Sequence, residues 1–367
     1  MPAGADLEPE SFAALPGWAR DDHVAAYAAF RRSALRVLEK PYRTGSLGIE
    51  AAAFAPAFEA ARAVSRPSAA EARDFFERLF RPFRMRPAGG GTGFVTGFYE
   101  PVARASPVRT SQFSVPLYRR PDDLIDLDDA GRPDGIDPSF AFGRRTDAGI
   151  AEYFDRGEIE RGALAGRGLE CAWLADKVDV FFIHVQGAAR LLMPDGAERR
   201  VTYAAKSGHP FTGAGRVLVE MGELAPADVT MQSIRAWFRA HPGRIDEVLW
   251  RNRSFIFFRD APVDDPALGP VAAAKVPLTA GRSMAVDRLI HTFATPFFID
   301  APTLSAFGGD RFGRLMIAQD TGSAIVGPAR GDLFAGSGDA AGEIAGVVRN
   351  AADFHILVPA AISGRFA

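Results

Sequence analysis

An aspartate that ends an apolar run and precedes a turn has the setting of a proton donor. Asp320 is such a residue, with Leu315-Met316-Ile317-Ala318 before it as a buried-strand pattern and Thr321-Gly322 after it as a turn. A carboxyl that emerges at a strand end among apolar neighbours has its charged form poorly solvated, so its pKa rises toward neutrality. It can then act as a general acid, the group that glycosidic cleavage requires at the leaving oxygen. Gly322 carries no Cβ, which lets the backbone approach a bulky ligand. Taken alone, an Asp-Thr-Gly step is equally ordinary turn chemistry. It also matches the signature of aspartic proteases, but those need two carboxylates sharing a proton, and Asp320-Thr321-Gly322-Ser323 occurs once.

Four further segments carry polar groups in suggestive settings. Gly97-Phe98-Tyr99-Glu100-Pro101 offers a ring and a carboxylate for lining a groove; the same residues would also simply close a strand, ring packed and acid solvated. In Val185-Gln186-Gly187 the primary amide suits an N-acetyl sugar with both donors and acceptors, or satisfies buried backbone groups. Asp287, in Met284-Ala285-Val286-Asp287, and Asp332, in Arg330-Gly331-Asp332-Leu333-Phe334, are site-shaping residues or loop aspartates that bond their own backbone. The six histidines fall at no metal-ligand spacing, and no Gly-x-Ser-x-Gly elbow occurs.

The order and spacing of these segments resemble the MltA family of lytic transglycosylases. The tyrosine-glutamate-proline and glutamine-glycine segments match its middle domain. Asp287, Asp320 and Asp332 match the three aspartates of its C-terminal 3D module. One departure is Gln186-Gly187-Ala188-Ala189, where the family usually has serine and glycine after the first glycine. The resemblance implies a mainly β fold with N-terminal helices, an α+β arrangement. Residues 1–104 and 252–367 would form a discontinuous double-psi β-barrel domain. Residues 105–251 would be an inserted second β-rich domain, with a glycan groove between the two.

It also implies cleavage of the β-1,4 bond between N-acetylmuramic acid and N-acetylglucosamine in peptidoglycan, yielding 1,6-anhydro-N-acetylmuramic acid. Asp320 would be the single catalytic acid and then base, and no metal or organic cofactor would be needed. Tyr99, Glu100, Gln186, Gly187, Asp287, Thr321, Gly322 and Asp332 would contact the glycan strand. Periplasm or outer membrane would be the location, with membrane attachment only through a leader that the start Met1-Pro2-Ala3-Gly4-Ala5-Asp6 does not supply. The rival functions are a non-catalytic polysaccharide-binding protein and, behind it, an aspartic protease.

Positioning these groups requires a folded scaffold, and composition allows one. The chain has 367 residues, 47% hydrophobic and 24% charged, enough for two domains. Its 43 Lys and Arg against 45 Asp and Glu leave a net charge of −2, which argues against nucleic acid held by bulk field. The single cysteine, Cys171, excludes an intrachain disulfide. Apolar stretches such as Val180 to Val185 fall far short of the ~20 residues that span a bilayer.

Spacing predicts a helix over Asp21 to Lys40 with Val24, Tyr27, Leu35 and Leu38 on one face. A second helix follows a Ser68/Glu71 capping box, with Phe75, Phe76, Leu79 and Phe80 apolar and Pro82 ending it. The chain would switch to sheet at Phe94–Tyr99. Then come a strand over Phe113 to Arg119, a Pro/Asp-rich loop, a helical turn near Asp147 to Asp155, the apolar run Asp179 to Gln186, and a hairpin turn at Met193-Pro194-Asp195-Gly196. A helix over Thr230 to Ala240 precedes short strands at Phe255 to Arg259, Pro296 to Ile299, Leu315 to Ala318 and His355 to Val358, a spacing that suggests a compact β-barrel.

Overall fold

The computed structural model describes residues 4–127, 132–133 and 135–367. The chain divides into two compact units, one made of Met1–Tyr99 and Asp265–Ala367, the other of Glu100–Asp264. The cuts expected from sequence lay after residues 104 and 251.

The first unit begins with strand β1 (Ala5–Pro9), helices α1 (His23–Arg36), α2 (Ala55–Ala63) and α3 (Ala69–Leu79), and strands β2 (Phe80–Pro87) and β3 (Gly93–Glu100). The Asp22 carboxylate accepts from the Ala25 amide and caps α1. Its buried face is Ala26, Tyr27, Ala29, Phe30, Ser33 and Ala34. Leu35 and Leu38, expected on that face, are 41% and 67% exposed, because the helix stops at Arg36. Small residues on α1 leave room for the rings of α2 and α3: Phe30 lies 5.5 Å from Phe58 and 6.2 Å from Phe76, centre to centre. The Ser68/Glu71 box caps α3 reciprocally. Phe80 is already extended and opens β2, which runs through Pro82, so the sheet starts well before Phe94.

The middle unit holds β4 (Val102–Arg104), β5 (Val115–Tyr118), β6 (Leu124–Asp126), β7 (Phe142–Thr146), β8 (Gly149–Ala151), the single turn α4 (Arg156–Glu158) and β9 (Glu170–Leu174). It continues with α5 (Lys177–Gln186), β10 (Ala188–Leu192), β11 (Glu198–Lys206), α6 (Ala214–Glu220), α7 (Met231–Ala240), α8 (Ile245–Leu249) and β12 (Ile256–Ala261). Asp147 to Asp155, expected as a helical turn, is instead the tip and second strand of the β7–β8 hairpin, and the helix begins only at Arg156. Part of the Pro/Asp-rich loop, residues 128–131 and 134, lies outside the described residues. The apolar run Asp179 to Gln186 is helical. It shows no clean period because α5 buries Val180 and Ile183 in one apolar cluster and Val178, Phe181 and Phe182 in another. The Met193–Gly196 turn joins β10 to β11, with the Met193 amide donating to Ala197 at 2.9 Å. Thr230 caps α7.

The chain then returns to the first unit through β13 (Ser283–Val286), β14 (Pro296–Ala301), β15 (Phe312–Asp320), β16 (Arg330–Ser337), α9 (Asp339–Val347) and β17 (Arg349–Pro359). The eight-stranded sheet runs β1-β2-β17-β14-β15-β13-β16-β3, and β3 pairs also with β17, which closes the last six strands of that order into a ring. β13 is parallel to β15 and antiparallel to β16. Strand β15 is buried from Leu315 to Gln319, so the strand bearing the acid runs through the core. No helix among the described residues is long and apolar enough to cross a membrane.

Candidate active site

Asp320 is the last residue of β15, and the pairing with β13 slips there. Met284 faces Ala318, but Ala285 faces Asp320, a bulge that takes up Gln319. The extra residue turns inward. The Gln319 amide is fully buried: it accepts from the Ser283 hydroxyl at 2.6 Å, and donates to the Ala29 carbonyl at 2.8 Å and the Ser33 hydroxyl at 2.9 Å. Ala29 and Ser33 lie on α1 and Ser283 on β13, so three bonds from two elements fix the residue before the acid.

The Asp320 carboxyl is enclosed by protein atoms, while the residue keeps an edge toward solvent. It accepts from the Ala273 amide at 3.1 Å and from the Thr321 amide. Burial pushes its pKa up to about 6, against those two amides; the Asp332 charge adds to the rise and Lys275 opposes it. Ala273 belongs to a tight turn in which Lys275 donates to Ala272 at 2.9 Å and Ala274 to the Gln319 carbonyl at 3.0 Å. Lys275 holds a left-handed backbone, φ +62°, uncommon for a residue with a Cβ. Sequence reasoning missed Gln319, Ser283 and this turn. The adjacency of a polar Gln319 to the acid at the end of an apolar strand was the one available signal.

Asp332 sits on β16 opposite Ala285, from the side away from Asp320. It accepts from the Thr96 hydroxyl at 2.5 Å; that hydroxyl in turn accepts from Arg330 at 2.7 Å. Burial raises the Asp332 pKa, with the Thr96 bond and Arg330 opposing. Asp287 is spent on backbone: one oxygen accepts from the Leu289 amide at 3.0 Å, the other from the Gly327 amide at 2.9 Å. It thereby ties down the loop that follows Asp320. Within that loop Gly322 accepts from the Ile325 amide at 2.9 Å. Of the residues singled out, the structure thus gathers Asp320, Thr321, Gly322 and Asp332 around Ala285 and the loop beyond β15, with Asp287 as its anchor.

Tyr99 is buried in the same unit. Its ring packs on α9 so closely that a Cβ added at Gly342 would lie 3.0 Å from it. Glu100, Gln186 and Gly187 belong to the middle unit. Glu100 is wholly buried and paired with Arg200 at 2.6 Å and Arg190 at 3.2 Å, where the sequence suggested a groove-lining carboxylate or, failing that, a solvated acid at a strand end. This carboxylate is locked in the interior of its unit, bound to arginines of β10 and β11. Gln186 ends α5 half-buried, and Gly187 supplies the left-handed cap, φ +74°, donating to Ile183 at 2.9 Å. Among the described residues no cluster of His, Cys, Asp and Glu has a geometry for holding a metal ion.

Residues 94–259 match the family described as the MltA specific insert domain, and residues 282–358 match the 3D domain. The chain is 53% identical to a solved membrane-bound lytic murein transglycosylase from Agrobacterium tumefaciens, covering 99% of this chain and 100% of that one at a TM-score of 0.93. It is 25% identical to Escherichia coli MltA solved with bound chitohexaose, over 98% of this chain and 95% of that one, with a TM-score of 0.68. In sequence it is 33% identical over 257 residues to membrane-bound lytic murein transglycosylase A of Escherichia coli K12, which is 68% of this chain; the match spans 61% of that relative's length. On the likeness to the Agrobacterium protein over nearly the whole of both chains and the matches to the MltA specific insert domain and the 3D domain, the chain belongs to the MltA family.

Proposed function

We propose that the protein is a peptidoglycan lytic transglycosylase with Asp320 as its single catalytic acid and base. The observation that carries this reading is a carboxyl at the end of a core strand whose pKa is pushed up to about 6, so that roughly one molecule in ten still carries the proton at pH 7, far more than for an ordinary aspartate. The names of the relatives supply the substrate class, and the bound chitohexaose of the Escherichia coli protein fits a β-1,4-linked N-acetylated sugar chain. The protonated Asp320 gives its proton to the oxygen between N-acetylmuramic acid and N-acetylglucosamine as that bond breaks. The resulting carboxylate, held by the Ala273 and Thr321 amides, then takes the proton of the muramyl 6-hydroxyl as that oxygen closes on the anomeric carbon. The product is 1,6-anhydro-N-acetylmuramic acid, with no water consumed. A tethered nucleophile makes this closure efficient.

In this scheme Thr321 and Gly322 shape the cleavage subsite, and Gln186 and Gly187 meet the glycan through amide and backbone. Asp287, Tyr99 and Glu100 act through the scaffold. The closed ring of six strands supports the double-psi β-barrel, with the Glu100–Asp264 unit as its insertion. Periplasm or outer membrane is the location that goes with such a substrate.

Mass spectrometry of the soluble products from purified peptidoglycan tests the reading. Muropeptides one water lighter than hydrolysis products, absent with Asp320→Asn, are the expected result. Fully hydrated reducing ends would make the protein a hydrolase, and binding without any released sugar would make it a non-catalytic wall-binding protein.

A further inference from the structure

We propose that Asp332 is a positioning residue for the proton of Asp320: a second enclosed carboxylate, set across Ala285 on the opposite neighbouring strand, whose negative charge holds that proton on the acid until a glycosidic oxygen takes it. The proposal rests on the assignment of Asp320 as the acid. It gives Asp332 a role in the protonation of the acid that needs no contact with substrate.

The geometry begins with strand register. Ala285 pairs with Asp320 on one side and with Asp332 on the other, so the two aspartates flank one residue, two strand spacings or roughly 10 Å apart along the sheet. Ala285 packs with Phe98, Leu278, Ile325 and Phe334 in one apolar cluster, which keeps water from screening charges around it. Two enclosed carboxyls at such a spacing do not ionise independently; the first to lose its proton makes the second harder to ionise.

The groups around each carboxyl are unequal. Burial raises the Asp332 pKa, and the Thr96 hydroxyl and Arg330 on its own strand oppose that rise by favouring its charge. Asp320 faces the Ala273 and Thr321 amides, Lys275 from the adjoining turn, and Asp332 from β16. Lys275 is exposed at the tip of its turn, so its charge is weakened by solvent. Asp332 and Lys275 therefore act on the Asp320 proton with opposite signs, which gives the proposal an internal control.

The test follows the Asp320 carboxyl by NMR in protein labelled with 13C at aspartate side-chain carboxyls, its resonance identified by its loss in Asp320→Asn. In Asp332→Asn the Asp320 midpoint moves to lower pH. In Lys275→Met it moves to higher pH. The alkaline limb of the pH–rate profile on purified peptidoglycan follows each midpoint, and activity of Asp332→Asn at pH 7 falls roughly two- to tenfold with KM unchanged. An Asp320 midpoint that stays in place or rises in Asp332→Asn overturns the proposal. Should Asp332→Asn not fold, Thr96→Val removes the hydroxyl that favours charge on Asp332 and must lower the midpoint in the same direction; a midpoint left unmoved overturns the proposal equally. The NMR midpoints need no turnover, so a protein that released no anhydro product would refute the assigned activity and leave this measurement standing.

Discussion

Asp320→Asn should make the protein more stable at the pH where it abolishes catalysis. In the folded chain the carboxyl titrates at about 6 against an ordinary 3.8. The unfolded chain therefore ionises first, and as pH rises between those values the folded state loses stability that it does not recover above them. That displacement corresponds to about 3 kcal/mol, and the solvent-facing edge of the residue trims it to roughly 2–3 kcal/mol. Asparagine has nothing to ionise, and its oxygen can still accept from Ala273. The variant should match the parent below pH 4 and exceed it by ~2–3 kcal/mol at pH 8. For a unit of this size that is a rise of roughly 4–10 °C in the transition of the unit holding Asp320. Calorimetry of both proteins at pH 3.5, 6 and 8 measures it. A difference that stays flat with pH, or a parent that is the more stable at pH 8, would show that the Asp320 carboxyl is not held protonated by its surroundings.

Two further substitutions separate positioning from simple support. Gln319→Leu leaves the Ser283 and Ser33 hydroxyls and the Ala29 carbonyl without their partner, so kcat should fall roughly 10- to 100-fold with little change in KM, alongside a loss of about 2–4 kcal/mol; steady-state kinetics with unchanged kcat would refute the role. Glu100→Gln leaves two arginines facing a neutral amide in the interior and should destabilise the middle unit by about 3–5 kcal/mol without moving the Asp320 midpoint, measured by calorimetry and the carboxyl titration.

What could be read from sequence divides along physical lines. The strand end at Asp320 was legible because the apolar run Leu315 to Ala318 is followed by a Thr-Gly turn, and α7 because Thr230 and the period of Ile234, Trp237 and Phe238 agree. The α1 face was read correctly at Val24 and Tyr27 and missed further on, because the buried positions there are mostly Ala and Ser, which carry little pattern, while Leu35 and Leu38 lie at and beyond the helix end. The β7–β8 hairpin was missed because its strands are only five and three residues long and break up their strand formers Phe142, Thr146 and Ile150 with glycine and arginine. Glu100 misled for a different reason: the arginines that enclose it stand about a hundred residues downstream, and no local pattern announces a buried ion pair.

The bulge at Gln319 shows why the acid needs an anchor beside it. A regular strand would continue its ladder with β13 through residue 319, leaving Asp320 at an ordinary strand end. Taking up one residue in the bulge lets Gln319 turn into the core, where it bonds to α1 and to Ser283 of β13. The carboxyl that follows is then held in place where its ionisation is penalised by about 3 kcal/mol. Such a penalty would ordinarily be relieved by the carboxyl swinging toward solvent. The three hydrogen bonds of Gln319, the Ala273 amide and the Asp287 tether on the following loop oppose that motion, so the carboxyl stays where its charged form is disfavoured.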